Sequence, residues 1–194
     1  MRSILCLTLF FSFASAGQKG KSGIDSFRVH GDVKITIDKP AVFSSPRKTI
    51  VVFYALPNGN TTNQTMGKKM QPGDDWHFDI QHIKAQTGFV RRQLGKINFV
   101  VIYLENSFKS WPLWKQKHPE FRSLIPHLVD SISYLFGADR KVYLNGHSGG
   151  GSFIFGYLAG VSKVPGYIKR ISFLDSNYGY DSTYYPKIKE WLLL

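Results

Sequence analysis

Between Lys141 and Ala159 the chain permits few architectures. A short apolar run, Val142 to Leu144, leads into Asn145-Gly146-His147-Ser148-Gly149-Gly150-Gly151, and Ser152 to Ala159 continues as an almost wholly apolar segment. That order reads as a buried strand, a tight turn and a buried helix, because the glycines interrupt both regular structures at one place. One serine stands in the turn, with a glycine two residues before it and another two residues after. A Cβ at Gly146 or Gly150 would collide with the neighbouring strand or helix if the turn is as tight as this spacing implies.

The pattern is G-x-S-x-G entered from a strand and left by a helix, which is a nucleophile elbow. Such a turn holds the serine in a strained backbone geometry and points a helix N-terminus at the reacting centre. Gly149, directly after Ser148, offers its backbone N–H to an oxyanion. These residues resemble the α/β-hydrolase superfamily, in particular its secreted, esterase- or lipase-like serine hydrolases. The resemblance runs from about Thr49 to Leu194 and is strongest over residues 141–160.

The rest of the chain is consistent with that class without reference to it. Phe27–His30 and Val33–Ile37 read as two short antiparallel strands with Gly31-Asp32 between them. Thr49–Leu56 and Ile97–Leu104 are continuous β-branched and aromatic runs, as expected of strands covered on both faces. Asp74–Leu94 reads as one helix capped by Asp74 or Asp75 and ended by Gly95, with Ile80, Ile83, Val90 and Leu94 near one stripe. Pro119–Phe136 is a second helix, kinked at Pro126 or starting there. Arg170–Leu174 is a further strand, and a last helix begins at Tyr184. Thr61–Pro72 is polar and irregular. Phe108–Pro119, with Trp111 and Trp114, is either a substrate-facing lid or a connection packing its own tryptophans. Strands alternating with helices predict an α/β fold with a doubly wound, mostly parallel sheet.

Residues 1–16 carry an early arginine, an apolar run and the small residues Ala14-Ser15-Ala16, which is the form of a secretory signal peptide. A flexible lead-in over 17–25 and one α/β-hydrolase-like domain over 26–194 follow. The expected location is secreted or periplasmic. The chain's one cysteine, Cys6, would leave with the signal, which excludes disulfides, thiol chemistry and cysteine-ligated metal from the mature protein. The formal net charge of +12 is spread along the chain rather than gathered in a run. That pattern argues against nucleic acid and for an attraction to an anionic wall or membrane surface, or simply for a solvated basic surface. Asn60-Thr61-Thr62 and Asn63-Gln64-Thr65 match the N-glycosylation sequon.

The resemblance implies roles for particular residues. Ser148 is the nucleophile, and Asp175, at the end of strand 170–174, is the acid, with Asp181 in reserve. Gly59 stands in the loop whose neighbourhood donates the second oxyanion N–H. There Asn58-Gly59-Asn60 replaces the familiar His-Gly pair, and an ordinary Asn-Gly turn is the alternative. A histidine should follow the acid, yet His30, His77, His82, His118, His127 and His147 all precede or adjoin Ser148 from the N-terminal side. His147 lies inside the elbow, with its ring expected to face away from the reacting side. The resemblance therefore implies a base past Leu194, in a chain that looks truncated as written, unless an upstream histidine substitutes.

No cofactor is expected. Asp74, Asp75, His77, Asp79 and His82 invite a metal, but two histidines five residues apart on one helix diverge by about 140°. A polar, hydrogen-bonded helix start is the preferred expectation. Three functions remain, in order: a serine hydrolase acting on a small-molecule or polymeric ester or amide; a catalytically incomplete protein of the same fold binding anionic wall polymer or glycan; and a metal-dependent hydrolase.

Overall fold

The computed structural model describes residues 23–193 except 45 and 178, and Trp76 by its backbone alone. The expected signal peptide and most of the lead-in lie outside the described residues. Six strands form one mixed sheet: β1 (Ile24–Val29), β2 (Val33–Asp38), β3 (Thr49–Ala55), β4 (Asn98–Asn106), β5 (Lys141–His147) and β6 (Ile168–Leu174). Their spatial order is β1-β2-β4-β3-β5-β6. β1 and β2 form an antiparallel hairpin that joins β4 antiparallel. The remaining pairs, β4–β3, β3–β5 and β5–β6, are parallel.

Strand alternation builds two cores. Val51, Phe53 and Ala55 of β3 face one side with Val100, Ile102 and Leu104 of β4. Ile50, Val52, Tyr54 and Leu56 face the other with Val101 and Tyr103. Successive strand side chains point to opposite faces, so an uninterrupted apolar run requires cover on both. Helices α1 (Thr62–Met66) and α2 (Ile83–Leu94) supply Met66, Ile83 and Leu94 to the smaller core. The larger core is filled from α3 (Trp111–Lys117), α4 (Phe121–Tyr134), α5 (Gly151–Gly160) and α6 (Tyr185–Leu192). The fold is thus a doubly wound α/β fold.

Several sequence expectations are corrected here. β1 starts at Ile24, inside the segment expected as lead-in. The single helix expected over Asp74–Leu94 is two elements, a short 3-10 turn (Trp76–Asp79) capped by Asp75 and then α2. Between them Gln81 is drawn against the sheet, its Oε1 accepting from the buried Tyr54 hydroxyl at 3.2 Å, and His82 takes a left-handed φ of 47°. The polar stretch after β3 contains α1, opened by a capping box between Thr61 and Gln64 and closed by Gly67. Trp111 and Trp114 lie on a helix and are each 1 % exposed. Trp111 packs edge-on against Phe153 at 4.7 Å, and Trp114 Nε1 donates to Asp32 at 2.9 Å. These tryptophans are core, not lid. α4 runs continuously through Pro126.

Candidate active site

The loops that follow β3 and β5 leave the sheet in opposite directions, since β4 lies on one side of β3 and β6 on the far side of β5. In a parallel sheet that reversal opens a crevice at the carboxyl ends of the two strands, where ligands bind. Ser148 sits there, in the turn between β5 and α5. Its φ is +48°, a left-handed conformation that side chains rarely adopt. Its position resembles a nucleophile elbow.

The strain is held by close packing. A Cβ on Gly146 would stand 2.6 Å from the Gly150 carbonyl oxygen, and one on Gly150 would overlap the Ala55 carbonyl of β3. The glycines let β5, the start of α5 and β3 approach to backbone contact. On the other flank the Ser176 hydroxyl donates to the Ser148 carbonyl at 2.6 Å. A Cβ on Gly151 would overlap that same hydroxyl. The Ser148 side chain is partly exposed and makes no hydrogen bond among the described residues.

Gly149 is buried and follows Ser148 in the first turn leading into α5, where N–H groups lack helical acceptors. The space a side chain would fill on Gly149 is taken by the Asn58 carboxamide, with Nδ2 at 2.7 Å from that Cβ position and Oδ1 closer. Gly59 turns the loop at φ +83°, but its N–H is committed to the Lys109 carbonyl at 2.8 Å. The residue of this loop that reaches the elbow is Asn58, one position earlier. The Asn-Gly pair after a buried strand marked the loop in the sequence; nothing there marked Asn58 over its neighbour. Ser176 carried no sequence signal either.

Asp175 directly follows β6 at φ +45°, is exposed, and makes no hydrogen bond among the described residues. Its charge acts on His147, whose strand partner on β6 is Leu174. Burial pushes the His147 imidazole below its ordinary pKa, and the Asp175 charge offsets part of that shift. His147 Nδ1 is enclosed without a hydrogen-bond partner among the described residues. Asp181 is elsewhere employed: it caps a 3-10 turn through Thr183 N–H at 2.8 Å, and those bonds hold its carboxyl below the usual range.

The other histidines are not brought to Ser148. His118 lies between Asp32 (2.9 Å) and Glu120 (3.3 Å) and stacks on Trp114. His30 and His127 line a cavity of about 140 Å³ between the β1–β2 hairpin and α4. His77 and His82 are engaged locally with Asp75 and Asp79. Among the described residues no three of His, Cys, Asp and Glu are grouped to hold a metal ion. At the ends of the neighbouring strand, Glu105 caps α1 through the Thr62 N–H (2.7 Å) and hydroxyl (2.6 Å), and Asn106 clamps its own turn through Phe108 and Ser110.

No protein-family model matches the chain, and comparison with curated proteins returns no relative. Among the described residues no helix is long and apolar enough to cross a membrane.

Proposed function

We propose that the protein is a serine hydrolase of the α/β-hydrolase type, cleaving an ester or amide with Ser148 as nucleophile. The observation that carries this reading is the left-handed Ser148, held at the crevice between β3 and β5 where the sheet's connections diverge. A strained, solvent-reachable serine with glycine on both sides is costly to maintain unless the strain serves a purpose. The sheet supports the same class: an antiparallel hairpin, then parallel strands interleaved with helices.

In the proposed reaction Ser148 Oγ adds to the substrate carbonyl carbon while its proton passes to a general base. The carbonyl electron pair moves onto oxygen, and the Gly149 N–H stabilises the resulting oxyanion. Collapse reforms the carbonyl and expels the alcohol or amine, which takes the proton from the base. Water, deprotonated by that base, then adds to the Ser148 acyl ester, and collapse releases the carboxylic acid and restores the Ser148 hydroxyl. Asp175, at the end of the adjacent strand, is the acid that would orient a histidine base. No histidine is hydrogen-bonded to Ser148 among the described residues. We place the protein outside the cytoplasm, on the strength of the N-terminal apolar segment.

Labelling with a fluorophosphonate tests the assignment. Covalent modification of the full chain that disappears in Ser148→Ala is the expected result. Equal labelling of both, or of neither, overturns it. The neither outcome favours the second reading, a basic binding protein on the same fold, which the +12 charge supports. Retention on an anionic wall polymer, lost at high salt, would establish that alternative.

A further inference from the structure

In the serine-hydrolase reading a second donor to the oxyanion comes from the loop after β3, and in this chain that loop reaches the elbow through Asn58, whose carboxamide takes the space beside Gly149. The loop's donors can be counted out. Leu56 N–H goes to Leu104 O at 3.4 Å, and Pro57 has no N–H. Gly59 N–H goes to Lys109 O at 2.8 Å, and Asn60 N–H to Pro57 O at 3.3 Å. Thr61 N–H goes to Gln64 Oε1 at 2.8 Å, and Thr62 N–H to Glu105 Oε2 at 2.7 Å. The Asn60 carboxamide nitrogen also lacks a partner, but Asn60 is 4 % exposed and its nitrogen is closed off. Asn58 remains. It is exposed, neither its N–H nor its side chain is hydrogen-bonded among the described residues, and its carboxamide packs on the Cα of Gly149.

We propose that the Asn58 side-chain amide is the second oxyanion donor, acting with the Gly149 N–H; this rests on the serine-hydrolase reading above. As the Ser148 Oγ–carbon bond forms and the carbonyl π pair becomes a lone pair on oxygen, Nδ2–H and the Gly149 N–H converge on that oxygen. The Ser148 proton leaves to the base, and the leaving group departs when the carbonyl reforms. A half-turn about Cβ–Cγ exchanges the two ends of the carboxamide, so the donor can face the crevice. The loop keeps the amide beside the elbow: Gly59 N–H is bonded to the Lys109 carbonyl, and the bare Cα of Gly149 leaves room for the Asn58 carboxamide.

The experiment is steady-state hydrolysis of p-nitrophenyl acetate by the full chain and by Asn58→Ala, Asn58→Asp and Ser148→Ala. Asn58→Ala keeps the backbone N–H and removes only the side chain. The expected result is a fall in kcat of about 10²-fold with KM nearly unchanged, the signature of an interaction made only in the transition state. Asn58→Asp, nearly isosteric, should lose at least as much, since it turns a carboxylate towards a developing negative charge. Full kcat in either variant, in a protein that Ser148→Ala inactivates, overturns the proposal. A parent chain no faster than Ser148→Ala removes the serine chemistry itself, and this donor with it.

Discussion

The Ser176 hydroxyl donates to the Ser148 carbonyl at 2.6 Å, across a separation of 28 residues. The bond latches the turn after β6 to the elbow after β5, on the side opposite Asn58. A left-handed serine costs on the order of 1–3 kcal/mol and persists only where its surroundings fix it. The latch is one of those constraints.

Ser176→Ala should therefore lower unfolding free energy by about 0.5–1.5 kcal/mol, the worth of one partly buried hydrogen bond. It should also slow phosphonate labelling of Ser148, because the carbonyl it releases fixes the serine's backbone. Urea melts and labelling rates together check this. A stability loss with no change in labelling rate would show that the latch holds the β6 turn and not the serine.

Gly150→Ala tests the backbone contact between the elbow and β3. The new Cβ would overlap the Ala55 carbonyl, and neither group is a flexible side-chain end that can move aside. Overpacking costs about 1–3 kcal/mol and sometimes more, so the variant should melt well below the parent or fail to accumulate folded. Gly166→Ala, where an added Cβ meets nothing within 4 Å, is the control and should be nearly neutral. Equal melting of the two variants would mean that β3 and the elbow are not in contact.

Asp38 is buried at the end of β2, and Arg91 of α2 reaches it with Nη1 at 2.7 Å. The same guanidinium donates to the Asp38 carbonyl at 2.6 Å and the Phe99 carbonyl at 2.9 Å. Arg91→Met removes three donors and strands a carboxylate whose side chain is 4 % exposed. Breaking one side of such a pair costs about 3–5 kcal/mol. Asp38→Asn in the same background should recover part of the loss, and denaturant melts of the single and double variants measure it. No recovery would assign the cost to the carbonyl contacts instead.

What was legible in the sequence follows physical lines. β3 and β4 were plain because both faces are buried, which demands an uninterrupted apolar run. The elbow was plain because backbone contact on two sides admits only glycine. The helix expected over Asp74–Leu94 failed at Gln81, whose bond to Tyr54 joins residues far apart in the chain and leaves no trace in local periodicity. Trp111 and Trp114 fit both a lid and a core, and only their burial against Phe153 and Asp32 decides between them. Strand order was not legible, since nothing in β4 says that it lies outside β3. Asn58 and Ser176 act at the elbow through space, so a linear pattern centred on Ser148 misses both.

His147 gives the elbow a pH dependence whose sign can be worked out. Burial holds its folded pKa below the ordinary value of about 6.5, only partly offset by Asp175. As pH falls through about 6.5 the unfolded chain takes up a proton that the folded chain still refuses. The unfolded state then binds more protons, and stability falls with falling pH until the folded pKa is reached, below which the loss levels off. His147→Gln should remove this component, so its urea midpoint should change less than the parent's between pH 7.5 and pH 5.5. Asp175→Asn should do the opposite, because deleting the charge that favours the imidazolium deepens the depression and steepens the acid loss. Identical pH slopes for the parent and His147→Gln would mean that the imidazole is as free to protonate in the fold as out of it. Identical slopes for the parent and Asp175→Asn would mean that the carboxylate following β6 does not act on the elbow at all.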